Sequence, residues 1–489
     1  MRRADITAAG QSSAPLPATR HPTRREVMLG LAGTALAGGC SPQDDVAYPL
    51  RRSSDYFGGM PIYNEPMLPT LTGTFPAYTD HAPQVPVYCV TPDKTGYIHR
   101  YYDSSPFSPS GRYMAVTRLP FEDRRPKPGE VAEIDVIDLA TGALRTVAET
   151  RGWDVQLGAQ LQWGADDRTL LYNDVEVRDW MPYGVRQDLL TGESRRLGGT
   201  IYSVSSDGRF AASPCLRRMA VTQGGYGVVV PKDHIPASRG AGIDDGIWIT
   251  DLQSGHARLQ VTLAQIIEQV VPSLPVASKR GDFFGFHVKW NPQGTRLMLA
   301  LRWLPRSLLP WKRKRRYGAK HVITMNADGS HVRVAVSAER WARGGHHPNW
   351  CPDGEHVLMN LNTMGDGLRF ARLSLDGATC ETLVPDVQGS GHPTLHPDGI
   401  HLLTDAYVDE PVAFGDGTVP IRLVDLRDGA ERQLLRIGIR PLAERSTGAL
   451  RVDAHPAWDR SHTRIAFNAC PDGRRRVYVA DLRAILQAS

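Results

Sequence analysis

HPNWCPDGEHVLMNL (347–361), HPTLHPDGIHLLTDAY (392–407) and HPAWDRSHTRIAFNA (455–469) are three versions of one phrase. Each starts with His-Pro, passes through a polar turn and continues as a strand of alternating apolar residues. A glycine in such a turn allows a tight reversal, and the alternation buries one face of the strand. A sheet this small cannot bury its faces alone, so the repeat predicts units that stack on one another.

The same phrase recurs towards the N-terminus. Its further versions are HVKWNPQGTRLMLALRW (287–303), IYSVSSDGRFAAS (201–213), AQLQWGADDRTLLYND (159–174) and SSPFSPSGRYMAVTRL (104–119). A second phrase follows each of the seven: IDVIDLATG (134–142), GVRQDLLTG (184–192), IWITDLQSG (247–255), VITMNADG (322–329), ARLSLDG (371–377), IRLVDLRDG (421–429) and VYVADLRA (477–484). The two phrases alternate along the chain and each occurs seven times. This pattern predicts an all-β, seven-bladed β-propeller of four-stranded blades over 81–489. Because little chain follows VYVADLRA, PVYCV (86–90) is expected to supply the last strand, so that an N-terminal strand closes the ring.

The N-terminus has the pattern of an export signal. TRREVMLGLAGTALAGGC (23–40) places Arg24 and Arg25 before a short apolar run and small residues. Residues 1–39 resemble a twin-arginine signal, and Ala37–Cys40 resemble a lipobox with Cys40 as a lipid-carrying N-terminus. An extended linker is expected over 40–80. The sequence therefore predicts an exported lipoprotein, in the periplasm or at the cell surface and anchored to the membrane through Cys40.

Composition places the rest of the chain among soluble globular proteins. The chain has 489 residues, 41% of them hydrophobic and 22% charged, with a formal net charge of +5. Five arginines against Asp5 and Glu26 in residues 1–39 account for much of this charge, so it does not suggest a nucleic-acid partner. No P-loop, Rossmann fingerprint or GxSxG is present, which argues against nucleotide, flavin and serine-hydrolase chemistry.

Four consecutive blades begin their first strand with a histidine in one register: His287, His347, His392 and His455. First strands line the channel of a propeller, so these side chains are expected to form an arc at its mouth, where His346 and His396 could join them. Facing imidazoles can hold a divalent metal, and His347, His392 and His455 are the predicted ligands. The alternative is a polar start to the strand, with each imidazole satisfied by the backbone.

Basic residues are concentrated in the loops between the second and third strands of blades one, three and four. The predicted substrate-binding residues are Arg118, Arg124, Arg218, Lys232, Arg313 and Arg315. Arginine binds carboxylate and sulfate groups in bidentate fashion, so these loops favour an acidic polysaccharide as the partner. The alternatives are solvated loops or a patch for anionic lipid near Cys40.

Tyr226 stands out among the aromatic residues of the predicted loops. It lies in GGYG (224–227), where glycine neighbours are expected to let a ligand approach, and Arg239 follows in the same loop. Sugar rings pack on such aromatic faces, although tyrosine is also common in blade cores.

Several of these phrases resemble known families. The blade phrase is similar to that of TolB-type propellers over about 100–485. SPFSPSGRYMAVTRLPF (105–121), QLGAQLQWGADDRTLLYNDV (156–175) and DDGIWITDLQSG (244–255) resemble the propeller polysaccharide lyases of the oligogalacturonate lyase and ulvan lyase groups. This resemblance implies β-elimination on uronic-acid polymers with calcium, manganese or zinc. It implies Tyr226 as base or acid, Arg239 as neutraliser of the substrate carboxylate, and His287 as a second catalytic group.

One feature departs from the ulvan-type pattern, which has histidines in its early blades. No histidine lies between His99 and His234 here. Three functions therefore stay open: a lyase of acidic glycans, a non-catalytic TolB-like propeller that binds a glycan or a protein, and a metal-dependent hydrolase that uses the histidine arc.

Overall fold

The computed structural model describes residues 68–274, 281–306, 318–440 and 448–487. The described residues belong to one compact unit, 47–489, and form seven four-stranded antiparallel sheets. This confirms the predicted seven-bladed, all-β propeller. The export signal and Cys40 lie outside the described residues, as do Arg313 and Arg315.

The blades follow one another along the chain, each running from its first strand to its fourth. Blades 1 to 3 are β2 (Gly96–Ile98), β3 (Tyr113–Leu119), β4 (Ala132–Asp138) and β5 (Leu144–Thr150); β6 (Gln162–Trp163), β7 (Thr169–Glu176), β8 (Met181–Asp188) and β9 (Ser194–Arg196); and β10 (Ser203–Val204), β11 (Phe210–Ser213), β12 (Gly246–Asp251) and β13 (Ala257–Thr262). Blades 4 to 6 are β14 (Gly281–Trp290), β15 (Arg296–Pro305), β16 (Ala319–Asn326) and β17 (Arg333–Val336); β18 (Gly345–Trp350), β19 (His356–Leu361), β20 (Arg369–Ser374) and β21 (Cys380–Leu383); and β22 (Thr394–Leu395), β23 (His401–Thr404), β24 (Thr418–Asp425) and β25 (Glu431–Gly438).

Blade 7 combines the two ends of the described chain. It contains β26 (Ala457–Trp458), β27 (Arg464–Ala469), β28 (Arg476–Asp481) and, as its fourth strand, β1 (Val87–Cys89). Val87 pairs with Ala480 and Cys89 with Tyr478. The strand predicted at 86–90 is therefore present in the last sheet. That the fold depends on this strand to close the ring stays a prediction, which deletion of residues 80–95 would test.

Both faces of a blade are buried because each sheet lies between two others. On β15, Leu297, Leu299 and Leu301 are fully buried, as the alternating pattern predicts. The intervening Met298 and Ala300 are buried as well, 1% and 2% exposed, because they face the neighbouring blade. The inner strands therefore have almost no solvated face, and polar residues on them need partners within the protein.

Over the described residues, helices are short and lie between strands or after the last strand. They are α1 (Leu216–Thr222), α2 (Leu263–Gln269), α3 (Ala338–Ala342) and α4 (Arg483–Leu486), with a 3-10 turn at Lys232–His234. The α2 helix begins at a capping box in which Thr262 and Gln265 bond each other's backbone. Over the described residues, no helix has the length and apolar character needed to cross a membrane.

The described end of the predicted linker, residues 68–80, packs on the propeller. Leu71 is 3% exposed and belongs to an apolar cluster with Val90 and Tyr97. The backbone of Tyr78 donates to Val87 at 2.8 Å, which extends the edge of blade 7.

Candidate functional site

Two of the four predicted histidines lie where the first strands of their blades depart from regular pairing, and the other two, His392 and His455, each stand two residues before theirs. His287 lies in the register shift between Gly285 and Val288, and His347 in the shift between His346 and Asn349. His347 and His455 have left-handed backbones, with φ of 57° and 50°. Bulges and left-handed residues redirect side chains and cost energy, so they are typical of functional positions.

Tyr101, in the blade 1 segment after β2, brings the four histidines together. Its ring stacks on His287 with 5.2 Å between centroids, and its edge meets His455 at 4.6 Å. The distances to His347 and His392 are 6.4 and 5.9 Å. The structure thus assembles the predicted histidine arc around one buried tyrosine, which is 1% exposed.

His392, His455 and Asp453 form a compact group whose ligand atoms lie within 4.8 Å of one another. His392 Nδ1 lies 2.9 Å from Asp405 Oδ1, so it donates to that carboxylate and Nε2 carries the lone pair. Nε2 of His392 and both ring nitrogens of His455 are buried without a hydrogen-bond partner among the described residues. His455 Nε2 lies 3.7 Å from Asp453 Oδ2. A buried group with free lone pairs suits a divalent ion, and the Asp405–His392 bond is the support typical of a metal-bound histidine.

His347, the third predicted metal ligand, has partners at both ring nitrogens. Nδ1 lies 2.7 Å from the Gly391 carbonyl and therefore donates to it. Nε2 lies 3.0 Å from the Tyr407 hydroxyl. His347 touches His392, with ring centroids 3.8 Å apart, and its nitrogens are engaged within the protein. His346 joins the cluster beside it, whereas the rings near His396 are His401, Trp458 and His462.

Tyr226 and His287, two of the predicted catalytic residues, lie close together. Their ring centroids are 6.0 Å apart, and the Tyr226 hydroxyl accepts a hydrogen bond from Arg451 Nη2 at 3.0 Å. Tyr226 is 1% exposed, and a side chain on Gly227 would collide with the Leu216 carbonyl. The space beside Gly227 is therefore filled by the protein's own backbone rather than by a ligand, which corrects the expectation for that glycine.

Three of the basic residues predicted to bind substrate form ion pairs with carboxylates of the protein. Arg118 pairs with Glu133 and Asp135, Arg124 with Glu130, and Arg218 with Asp245. Lys232 and Arg239 are exposed, and within the described part of the chain no hydrogen bond or ring contact joins Arg239 to Tyr226 or His287. The arginine that does contact Tyr226 is Arg451, whose Nε also lies 2.8 Å from Asp453 Oδ2.

Burial sets the charge states of the cluster. It lowers the pKa of His287, His347 and His455 well below the ordinary value, and it lowers that of His99 to about 3. These imidazoles are therefore neutral at neutral pH and can accept protons. Burial also raises the pKa of Tyr226 although Arg451 opposes the shift, so this hydroxyl keeps its proton.

Several members of the site were not predicted from the sequence. Arg100, Asp103 and Lys289 form a buried ion group beneath Tyr102, with Asp103 2.8 Å from Arg100 and 3.0 Å from Lys289. The other unpredicted members are Tyr202, Asp405, Tyr407, Arg451 and Asp453. A local signal existed for one pair, since Arg451 and Asp453 stand just before His455 in RVDAHP (451–456).

No protein-family model matches the chain, and no curated protein sequence matches it. Solved structures do match. An oligogalacturonate lyase in complex with manganese aligns at a TM-score of 0.56 and 14% identity, over 86% of this chain and 97% of that one. An oligogalacturonate lyase from Vibrio parahaemolyticus aligns at a TM-score of 0.55 and 15% identity, over 83% and 96%. TolB from Acinetobacter baumannii aligns at a TM-score of 0.35 and 10% identity, over 76% and 80%. The two lyases share the propeller fold with this chain.

Proposed function

We propose that this protein is a polysaccharide lyase that cleaves a uronic-acid-containing, carboxylated or sulfated glycan by β-elimination. The observation that carries the proposal is the position of Arg451. Its guanidinium contacts the Tyr226 hydroxyl at 3.0 Å and Asp453 at 2.8 Å, and Asp453 adjoins His455. The Arg451 guanidinium thus links Tyr226, which lies beside the neutral His287, to the group formed by His392, His455 and Asp453. The shared fold with two oligogalacturonate lyases supports the same proposal.

β-Elimination next to a carboxylate requires a neutralised carboxylate, a base and an acid. The proton on the carbon beside the carboxylate becomes removable only when the negative charge that develops there is offset. Arg451 keeps its side chain 34% exposed while Asp453 holds it in place, so it can meet an incoming carboxylate. Arg451 therefore takes the neutralising role that the sequence had suggested for Arg239.

His287 and Tyr226 supply the base and the acid. His287 Nδ1 is hydrogen-bonded to the Tyr202 hydroxyl, and when Nδ1 donates, Nε2 has the lone pair that removes the proton. Tyr226 donates its proton to the glycosidic oxygen as the carbon–oxygen bond breaks, and Arg451 stabilises the phenolate left behind. The base has gained one proton and the acid has lost one, and exchange with solvent restores both.

The His392, His455 and Asp453 group fits a divalent metal such as manganese, zinc or calcium. The fit rests on lone pairs that are buried and unpartnered in the described residues, since His392 is oriented by Asp405 and His455 has two free nitrogens. A divalent ion bound there would withdraw further charge from the substrate carboxylate. In the protein itself, Asp405 fixes the tautomer of His392 and Arg451 balances the charge of Asp453.

The proposal is tested by the ultraviolet absorbance of unsaturated uronate products. The chain from residue 41 would be incubated with a panel of uronic polysaccharides and oligosaccharides, with and without a chelator. We expect absorbance to rise on one substrate, to fall about 100-fold in Tyr226→Phe and Arg451→Gln, and to be unchanged in Arg239→Gln, the matched surface control. No product from a folded, metal-loaded protein on any substrate would overturn the lyase and leave a glycan-binding role.

We also propose that the chain is exported and held at the membrane through a lipid on Cys40, which would place the enzyme where polysaccharides arrive. The support is the sequence of residues 23–40. Substitution Cys40→Ser should move the protein from the membrane fraction to the soluble fraction. Equal membrane association of both forms would refute the anchor.

A further inference from the structure

A second histidine–aspartate group lies in blade 6, at the turn between β22 and β23. Its members are His396, Asp398 and His401, whose ligand atoms lie within 4.8 Å of one another. His396 follows His392 by four positions, with the two residues of β22 between them. The rings that contact His396 are those of His401, Trp458 and His462. None of these belongs to the channel cluster of His287, His347, His392 and His455, so the second group is separate from it.

The two oxygens of Asp398 have different tasks. Oδ1 accepts from the backbone nitrogens of Ile400 and His401, at 2.7 and 3.0 Å, and so fixes the turn. Oδ2 lies 2.6 Å from His401 Nδ1 and 2.9 Å from His396 Nδ1. One carboxylate oxygen is therefore placed between two imidazole nitrogens.

The protonation of His396 follows from its other contacts. Nε2 lies 3.1 Å from the His462 carbonyl, which can only accept, so Nε2 carries the hydrogen. The backbone nitrogen of Asp398 donates to Nδ1 at 3.2 Å, so Nδ1 presents its lone pair. That lone pair is 2.9 Å from a carboxylate oxygen. Two acceptors at this distance repel unless a cation, either a proton or a metal ion, lies between them.

Blade 5 shows the same turn without the second imidazole. Asp353 Oδ1 accepts from Glu355 and His356 at 2.8 and 3.1 Å, and Oδ2 lies 2.8 Å from His356 Nδ1. The position that corresponds to His396 is Cys351. The turn therefore needs only the aspartate and the following histidine, and its structure does not account for His396.

We propose that His396, Asp398 and His401 bind a divalent transition-metal ion of the zinc class. Two imidazoles and one carboxylate are a ligand set that such ions prefer, and three protein ligands leave a position for water. The Asp398 side chain is 30% exposed, so solvent reaches the site. Through the bond from His396 Nε2 to the His462 carbonyl, the ion would also fasten blade 6 to blade 7, as an outer partner of a metal-bound histidine does.

The test counts zinc ions in the full chain by titration against a chromophoric chelator. His396→Gln should bind one zinc ion fewer per chain than the wild type and should lose the rise in Tm that zinc gives the wild type. His356→Gln, which changes the matching turn of blade 5, should bind as the wild type does. If His396→Gln does not fold, His401→Gln decides the question in the same way.

A variant that carries both His392→Asn and His455→Asn distinguishes zinc bound at this site from zinc bound by the channel group. That variant should keep the zinc ion of the blade 6 turn whether or not the channel binds metal and whether or not the protein is a lyase. Equal zinc binding by the wild type and by folded His396→Gln would overturn the proposal and leave a proton shared between His396 and Asp398.

Discussion

The channel cluster of histidines and the basic loops were both candidate functional sites. They differ in whether their polar atoms have hydrogen-bond or ion-pair partners within the protein. In the loops, Arg124 and Arg218 meet carboxylates of their own blades. In the channel, His392 Nε2 and both nitrogens of His455 are buried without a partner among the described residues. The loop arginines are already neutralised by carboxylates, whereas a buried lone pair without a partner costs free energy and indicates a ligand. The channel is therefore the stronger candidate.

The largest expected effect concerns the loop arginine that is most deeply buried. Arg218 is 4% exposed and lies 2.9 Å from Asp245, which is 5% exposed. Arg218→Met leaves that carboxylate without its partner, so the free energy of unfolding should fall by about 3–5 kcal/mol in urea denaturation. Lys232→Met, at an exposed position of the same loop, should stay within about 0.5 kcal/mol. Unchanged stability with lost glycan cleavage would place Arg218 in the substrate site instead.

A second test addresses the support of the channel metal site. Asp405 holds His392 Nδ1 and leaves Nε2 free. Asp405→Asn should weaken binding of a divalent ion in the channel by about 10–100-fold, measured by calorimetric titration in the His396→Gln background. Glu410→Gln, which alters a carboxylate bonded to His346 instead, is the control. Equal affinities for Asp405→Asn and the parent protein would argue against His392 as a ligand.

The neutral histidines predict how stability depends on pH. Burial lowers the pKa of His99 from 6.5 to about 3, so the unfolded chain takes up the proton first as the pH falls. The stabilisation is fully present above about pH 6.5 and is lost below it, by about 1.4 kcal/mol per pH unit for each such histidine. Urea denaturation between pH 7.5 and 5 should show this slope, and His99→Asn should reduce it. A flat profile over that window would mean that His99 is charged in the folded protein.

The smallest effect on stability is expected for an exposed arginine of the basic loops. Arg124 is 41% exposed and lies 2.7 Å from Glu130. Arg124→Ala should lower the free energy of unfolding far less than Arg218→Met does, because solvent and salt screen such a pair. Thermal unfolding at low and high salt measures the difference. A loss as large as that of Arg218→Met would put Arg124 in the same class as Arg218.

The fold was predictable because its signal is local. Each blade repeats one turn and one alternation, and strand β1 was found from the missing partner of the last blade. The histidine arc was predictable for the same reason, since His287, His347, His392 and His455 share a register. The ion pair of Arg118 was not predictable, because its partner Glu133 stands directly opposite on the next strand. The register between two strands decides that pairing, and the sequence alone does not give the register.

The rest of the site depends on contacts between blades. Tyr101 reaches histidines that are up to 354 positions away in the chain, as the contact with His455 shows. Arg451 meets Tyr226 across 225 positions. Nothing in a single sequence specifies which blades face each other across the channel, so the centre of the cluster and its neutralising arginine were found only in three dimensions.

The pairing of β1 with β28 has a consequence for the timing of synthesis. Val87 is made long before Ala480, its partner, and at about 5–20 residues per second the interval is about 20–80 s. Throughout it, the edge of β1 that later pairs with β28 has no partner, and another nascent chain could occupy it. The yield of native protein should therefore depend on how well this short segment is protected until the chain leaves the ribosome. A peptide with the sequence of residues 476–481 should compete for β1 during translation but not after it.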